Sequence, residues 1–340
     1  MNMSVLGIDL AKNVFQLHGV DAKGNVVVRK KLTRPNLLPF VAQLTPCRIG
    51  MEACQGAHCW AREMRKLGHD VRLISPQFVT PYRQSHKNDP NDAAAICEAV
   101  SRPHMRFVPI KEVEHQDIQA LHRARQLLIK QRTALCNQVR GLLSEYGIIV
   151  ARGVPRLRTS LPALLEDADN GLTFASRELF QDLYQQLVWL DERIGGMDAK
   201  ILQVFTTTEP CQRLAAIEGV GPMIATALYA AVPQAHLFHN GRHLAAWLGL
   251  VPRQHSTGGK AVLLGISKRG DRYLRALLIH GARAVVYRWK DKLHPGPRAQ
   301  WLQQLIARRG INCATVALAN KIARIAWVLL QKGVRYQPVS

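Results

Sequence analysis

Hydrophobic positions change their spacing along this chain, and each change marks a new kind of structure. Three runs rich in β-branched residues, Val5–Asp9, Val14–Val20 and 26–32, predict a three-stranded meander, with Asp21-Ala22-Lys23-Gly24-Asn25 as the turn between the second and third. Downstream the pattern predicts a short helix over 35–44, a strand over Arg48–Glu52, an amphipathic helix over 57–67 stopped by Gly68, a strand over 71–74 and a helix over 91–101. The order βββαβαβα describes a mixed sheet with helices on its faces.

From about residue 109 the apolar spacing becomes seven. Leu121, Leu128, Leu135 and Leu142 recur every heptad, with Ile118, Val139 and Tyr146 at the alternate seam positions. A second segment carries Leu183, Leu187, Leu190, Ile194, Met197, Ile201 and Val204 at alternating steps of four and three. Both are coiled-coil seams. Arg125 and Arg132 interrupt the first, so an irregular coiled coil is expected, its second helix antiparallel to the first across the 147–175 connection. Such an arm spaces domains or mediates self-association. The last third is helical with loops, and Gly219-Val220-Gly221-Pro222 between two helical patterns resembles a helix-hairpin-helix. A turn of that kind presents backbone N–H groups to a phosphate; a plain helix–helix corner is the alternative.

At 340 residues, 47% hydrophobic and 21% charged, the composition is that of a globular chain of two or three domains. The apolar stretch 223–232, bracketed by Pro222 and Pro233, is far short of the ~20 residues a bilayer span needs. Without a basic leader region at the N-terminus, a cytoplasmic protein with no membrane association is expected. Charge changes the picture most. The net +22 is divided as +7 over 1–108, zero over 109–205 and +15 over 206–340, which implies two nucleic-acid-contacting modules separated by a spacer. Seven scattered cysteines without a Cys-x-x-Cys pair predict neither disulfides nor a zinc site. His236, His239 and His243 have no acid or cysteine near them and read as exposed or DNA-facing.

Within this basic chain four acids fall on the elements of the first domain. Asp9 ends the first strand beside Leu6 and Ile8, and Glu52 ends the fourth; a carboxylate in an apolar strand is costly to desolvate without a cation. Asp89 and Asp92, three residues apart, stand at the start of a helix on one face. Pro90 restrains its predecessor from helix, so Asp89 is expected just before the helix. Hard oxygen donors of this kind suit Mg²⁺, one or two ions, in phosphoryl chemistry.

Gly7-Ile8-Asp9-Leu10-Ala11-Lys12, Met51-Glu52-Ala53-Cys54 and Lys87-x-Asp89-x-x-Asp92-Ala93 resemble the RuvC-like DEDD domain of bacterial insertion-sequence transposases related to the Piv DNA invertases. Further matches are Gly219-Val220-Gly221-Pro222, Trp247-Leu-Gly249-Leu-Val-Pro252-Arg253, Ser256-Thr-Gly258-Gly259-Lys260 and Ile266-Ser-Lys268-Arg269-Gly270-Asp-x-x-Leu274-Arg275, so the resemblance covers nearly the whole chain. It implies an RNase H-like (RuvC-like) α/β domain over 1–108, a coiled-coil arm over 109–205 and a mainly α transposase domain over 206–340. It also implies a recombinase using Asp9, Glu52, Asp89 and Asp92 with Mg²⁺ and Ser256 as nucleophile. Its partners would be donor and target DNA, a noncoding guide RNA from the element itself, and further copies of the chain in a dimer or tetramer. Sequence choice would rest on base pairing, with the protein holding backbones.

Read from the residues alone, Ser256 before Gly258-Gly259 is expected in a flexible turn. Arg253, His255 and Lys260 flank it and are placed to orient a phosphate; Thr257 and Ser267 are rival nucleophiles. Adjacency does not establish the reach of His255 as a base. Lys12, Gly219, Gly221, Arg253, Lys260, Lys268, Arg269, Arg272 and Arg275 are the expected nucleic-acid contacts. Two other functions are open here: a hydrolytic resolvase-like nuclease using carboxylates and water alone, and a noncatalytic nucleic-acid-binding scaffold.

Overall fold

The computed structural model describes residues 3–84, 88–293 and 296–337; Lys87 of the helix-start motif lies outside them. Two units partition the chain, Met1–Glu114 and His115–Ser340.

In the first unit, strands β1 (Val5–Asp9), β2 (Val14–Val20) and β3 (Val26–Thr33) form the expected meander. Then come α1 (Arg34–Ala42), β4 (Arg48–Glu52), α2 (Ala57–Lys66), β5 (Asp70–Ile74), the single turn α3 (Pro76–Val79), α4 (Asp89–Ser101) and β6 (Phe107–Val108). The sheet order is β3-β2-β1-β4-β5-β6, with β1, β4 and β5 parallel and the rest antiparallel. Neither α3 nor β6 follows from the sequence pattern; each is too short to show a period.

Strand alternation sorts this unit into two layers. Leu6, Ile8, Ile49 and Met51 enter a core with residues of α1 and α2, where Phe15 meets Trp60 edge to face at 5.2 Å. The intervening positions, Val5, Gly7 and Asp9 on β1 and Gly50 and Glu52 on β4, turn to the opposite face, against which α4 packs.

The second unit opens with α5 (Val113–Glu145), α6 (Val154–Glu166) and α7 (Phe174–Thr207). The arginines that interrupt the heptads of α5 are matched by acids on α7: Arg125 pairs with Asp198, and Arg132 with Asp191 at 2.7 Å. A step of seven along α5 is a step of seven back along α7, so the two run antiparallel. Leu135, Val139 and Leu143 of α5, Leu157 and Leu161 of α6, and Phe180 and Leu187 of α7 fill one core.

Beyond it, α8 (Glu209–Ala215), α9 (Pro222–Ala231) and α10 (Gly241–Trp247) precede a two-stranded ribbon, β7 (Pro252–Thr257) and β8 (Lys260–Ile266). Helices α11 (Arg272–Trp289), α12 (Pro297–Arg309) and α13 (Ile311–Lys332) complete the chain. By length and composition α13 is apolar enough to cross a membrane. It carries Lys321 and Arg324, and its buried stripe, Leu318, Ile322, Ala326 and Leu329, lies in the core shared with Leu278, Val285 and Leu302, as in a core helix.

A buried polar cluster ties α5 to α9 and α11. His122, 2% exposed, lies 2.9 Å from the Tyr273 hydroxyl and 3.0 Å from Thr226 Oγ1. Thr226 donates its own proton to the Pro222 carbonyl at 2.7 Å, so its oxygen accepts from His122 Nε2–H and Nδ1 accepts from Tyr273. The imidazole is neutral; burial above all, helped by the charge of Arg125, lowers its pKa to about 4.

Candidate functional site

Two of the four acids, Asp9 and Glu52, end adjacent parallel strands of the sheet. Ile8 pairs with Met51 in parallel register, so Asp9 and Glu52 are next in line, on neighbouring strands about 4.8 Å apart and on the same face. Gly7 and Gly50 are register partners too, and their missing side chains let α4 close on the sheet. A Cβ at Gly7 would stand 2.4 Å from the Ala93 carbonyl oxygen, and one at Gly50 2.8 Å from Val100 Cβ.

This contact fixes where the helix acids go. Cys97 lies by Val5 and Ala93 by Gly7, so α4 runs opposite to β1. Four residues of helix rise about 6 Å and two of strand about 6.6 Å. One step back from Ala93 brings Asp89 toward Asp9, and one step back from Ile96, which packs on Gly50, brings Asp92 toward Glu52. Asp89 is the first residue of α4, not a residue before it. The cap is Asn88, whose side chain accepts from the Asn91 amide at 2.9 Å, and Pro90 sits in the first turn, where no amide hydrogen is needed.

Cys54, just beyond β4, reports the charge of this end: its thiol pKa is raised by the desolvation its neighbours cause, despite an exposed residue surface, and then by the charges of Glu52 and Asp9. Asp92 is engaged by Arg83, whose Nη1 donates to Oδ1 at 3.0 Å with both side chains largely covered. Four carboxylates at one sheet end suit a hard divalent cation by donor chemistry. Among the described residues, however, no three of His, Cys, Asp and Glu converge closely enough to hold one ion between them.

Ser256 stands in the second unit, in strand β7 and not in a turn. The turn is Gly258-Gly259, with φ of 57° and 78°, the left-handed pair a two-residue hairpin needs. The register pairs Gln254 with Leu263, His255 with Val262, Ser256 with Ala261 and Thr257 with Lys260. One face of the ribbon therefore carries Gln254, Ser256, Ala261 and Leu263; the other carries His255, Thr257, Lys260 and Val262. His255 points away from Ser256, so within its own ribbon it cannot serve as the serine's base. The partner that Ser256 does have is Gln254, whose Nε2 donates to Oγ at 2.7 Å.

Two turns interlock at the foot of the ribbon. A Cβ at Gly249 would meet the Arg269 carbonyl at 2.2 Å, and one at Gly270 the Trp247 carbonyl at 1.8 Å. Arg275 joins them, donating to the carbonyls of Leu248 at 3.1 Å and Arg269 at 2.9 Å from a buried position. It is a structural residue, not an exposed phosphate contact; its charge suggested a surface role, and its position inside α11 makes it internal. Arg253, Lys260, Lys268, Arg269 and Arg272 are exposed, as is Lys12 in the first unit. No acid occurs between Glu218 and Asp271.

The glycine turn before α9 is likewise structural in part. Gly219, with φ of 85°, and Gly281 of α11 pack backbone on backbone, each approached by the other's carbonyl. That contact needs a residue without a side chain at Gly219, which is half-buried. Gly221 opens on free space and keeps the expected exposure. All seven cysteines are free thiols, with Cys54, Cys59 and Cys313 exposed.

A family model for a DEDD transposase domain, described as "Transposase", matches residues 6–148, and one described as "Transposase IS116/IS110/IS902 family" matches 211–295. A probable family 20 transposase of Pseudomonas aeruginosa is 52% identical over 99% of this chain and 100% of its own length. The transposase for insertion sequence element IS1111A of Coxiella burnetii is 48% identical over 99% of this chain and 92% of its own. The transposase for IS1328 of Yersinia enterocolitica is 41% identical over 98% of both chains.

Proposed function

Because the chain belongs to the IS116/IS110/IS902 family of insertion-sequence transposases, and is thus a DNA transposase, we propose that it cuts and rejoins DNA with two separate sets of residues: the acids Asp9, Glu52, Asp89 and Asp92, and the nucleophile Ser256. The observation that carries this reading is the setting of Ser256, on an exposed ribbon face with an amide donor 2.7 Å from its oxygen, in a segment free of acids.

In the proposed reaction Ser256 Oγ attacks phosphorus. An Oγ–P bond forms as the bond from phosphorus to a deoxyribose oxygen breaks; the serine proton passes to a base and the departing oxygen is protonated. The phosphoserine conserves the bond energy, and an incoming deoxyribose hydroxyl reverses the steps on a new strand. The Gln254 amide orients the serine oxygen and stabilises its developing charge. A Mg²⁺ bound by the acids would neutralise phosphate oxygens. Since the serine's own ribbon face offers no base, that group comes from elsewhere, and we assign it to the acid site of a second copy. Sites made of one chain's ribbon and another's sheet require a homo-oligomer, with α5 and α7 as the coiled-coil contact. The +15 charge of 206–340 supports backbone contact with donor and target DNA and with a guide RNA that supplies sequence choice.

A denaturing gel tests this with purified protein, element-derived RNA, donor and target DNA, and Mg²⁺. A covalent protein–DNA adduct is expected with wild type and absent with Ser256→Ala. Strand cleavage that persists in Ser256→Ala without any adduct would make the chain a hydrolytic nuclease of the resolvase type, working through the acids and water. Adduct loss on omitting the RNA tests the guide.

A further inference from the structure

The ribbon of β7 and β8 carries apolar surface that the reaction proposed above leaves unused. Every residue of β7, and all of β8 but Ile266, is exposed. Four successive apolar residues, Ala261 to Leu264, run along β8, and Val262, Leu263 and Leu264 are 50%, 65% and 47% exposed. A run of that length left in water is a fault in a folded chain unless a partner covers it. The partner must also accept the ribbon's charge. Arg253, His255 and Lys260 stand on the ribbon, Lys268 and Arg269 at its foot, and no acid falls in 219–270. A second copy of the ribbon would bring the same charge against it. A DNA duplex is the complement on both counts, with phosphates outside and an apolar base stack inside, and its major groove admits a two-stranded ribbon.

We propose that Leu263 is a wedge, entering the base stack of the DNA beside the phosphate that Ser256 attacks and unstacking that step. This rests on the reading of Ser256 as the nucleophile. The register singles out Leu263: it pairs with Gln254 and shares a face with Ser256, whereas Val262 turns to the other face with His255. Ser256 pairs with Ala261, so Leu263 is its diagonal neighbour, about 7–8 Å away. Along DNA that is about two base steps. An apolar side chain driven between bases costs stacking energy and kinks the duplex, which lets more protein reach the backbone. Arg253 and Lys260 are the cations placed to make those added contacts. The strand held by the serine is thereby loosened from its complement, as rejoining to a new strand requires.

Mismatched DNA separates a wedge from a structural residue, because bases already unpaired have little left to unstack. The full-length protein is assayed with element-derived RNA, Mg²⁺ and donor DNA, either fully paired or mismatched at the two base pairs beside the phosphate that wild type cuts. Leu263→Thr keeps a strand-forming residue and shortens the wedge. It should cleave paired DNA about tenfold more slowly than wild type and mismatched DNA within about twofold of it, with Leu263→Met close to wild type on both. Equal rates on paired DNA overturn the wedge, and so does a defect of the same size on both substrates. Ser256→Ala should be inactive on either; if it still cuts, the serine reading fails, while the Leu263 comparison, scored by cleavage, still decides for or against the wedge. A readout without chemistry is permanganate, which oxidises unstacked thymines along the bound DNA. Thymines beside the cut position should react in the complex of Ser256→Ala and stay protected with the double variant Ser256→Ala/Leu263→Thr; equal reactivity overturns the proposal. If Leu263→Thr alters only the sedimentation of the protein alone, or only its pelleting with phosphatidylglycerol vesicles, the ribbon is covered by a second copy or by lipid and the wedge falls.

Discussion

A methyl group added at Gly7 would meet the Ala93 carbonyl at 2.4 Å and the Cys97 nitrogen at 2.5 Å. Both are backbone atoms, so α4 as a whole must retreat, and Asp89 and Asp92 with it. Gly7→Ala is expected to lower stability by about 1–3 kcal/mol in urea unfolding, as overpacking does, and to reduce strand cleavage beyond that loss. Gly141, in α5 with nothing within 4 Å of its Cβ position, is the counter-case: Gly141→Ala should stabilise by about 0.5–1 kcal/mol through backbone entropy alone. His122 adds a pH dependence. Its folded pKa of about 4 lies below the ordinary 6.5, so the unfolded chain binds a proton that the folded one refuses. Its contribution is complete above pH 6.5 and is lost as pH falls from there to 4, about 3 kcal/mol in all. Urea midpoints followed over that range should fall in wild type and stay flatter in His122→Gln; parallel curves would remove His122 as the cause.

Among the elements, the ribbon and the turns at its foot divide the basic residues by task. Arg275→Gln should cost about 2–4 kcal/mol, because two buried carbonyls lose a charged donor. Arg269→Ala should leave the melting temperature within a degree or so and lower the salt slope of DNA binding by about one. The same division shows what the sequence makes legible. The strands β1 to β5 are readable because each buries side chains in the sheet, and burial imposes a pattern. The ribbon buries almost nothing, so β7 leaves no pattern and its Ser-Thr-Gly-Gly reads as a turn. Arg275 reads as a surface contact and Arg83 goes unremarked for a related reason: a charge is assigned to solvent unless its partner is known, and the partners, two carbonyls and Asp92, are set by the fold. Asp9 and Glu52, by contrast, stand out in the sequence because apolar neighbours on β1 and β4 make a carboxylate conspicuous, and Asp89 and Asp92 because a spacing of three puts them on one helix face.

Considered whole, the chain carries Asp9, Glu52, Asp89 and Asp92 in Met1–Glu114 and Ser256 in His115–Ser340. If each working site draws on two copies, mixing Asp9→Asn protein with Ser256→Ala protein should restore part of the activity that each lacks, since some sites then combine an intact sheet with an intact ribbon. Mixtures as inactive as their components would mean that each chain supplies both groups itself. The skewed charge belongs to this scale too: neutrality over 109–205 leaves that stretch without electrostatic attraction to nucleic acid, while both flanking regions carry it.

The paired rungs on α5 and α7, Arg125 to Asp198 and Arg132 to Asp191, set a rule for how this part of the chain can change length. The two helices are rails of one ladder. Seven residues added to a single rail would slide every rung past its mate and strand an arginine against apolar surface. Seven added to both between the existing rungs lengthen the ladder by about 10 Å and leave each rung closed. Natural variation in reach should therefore come in matched heptads.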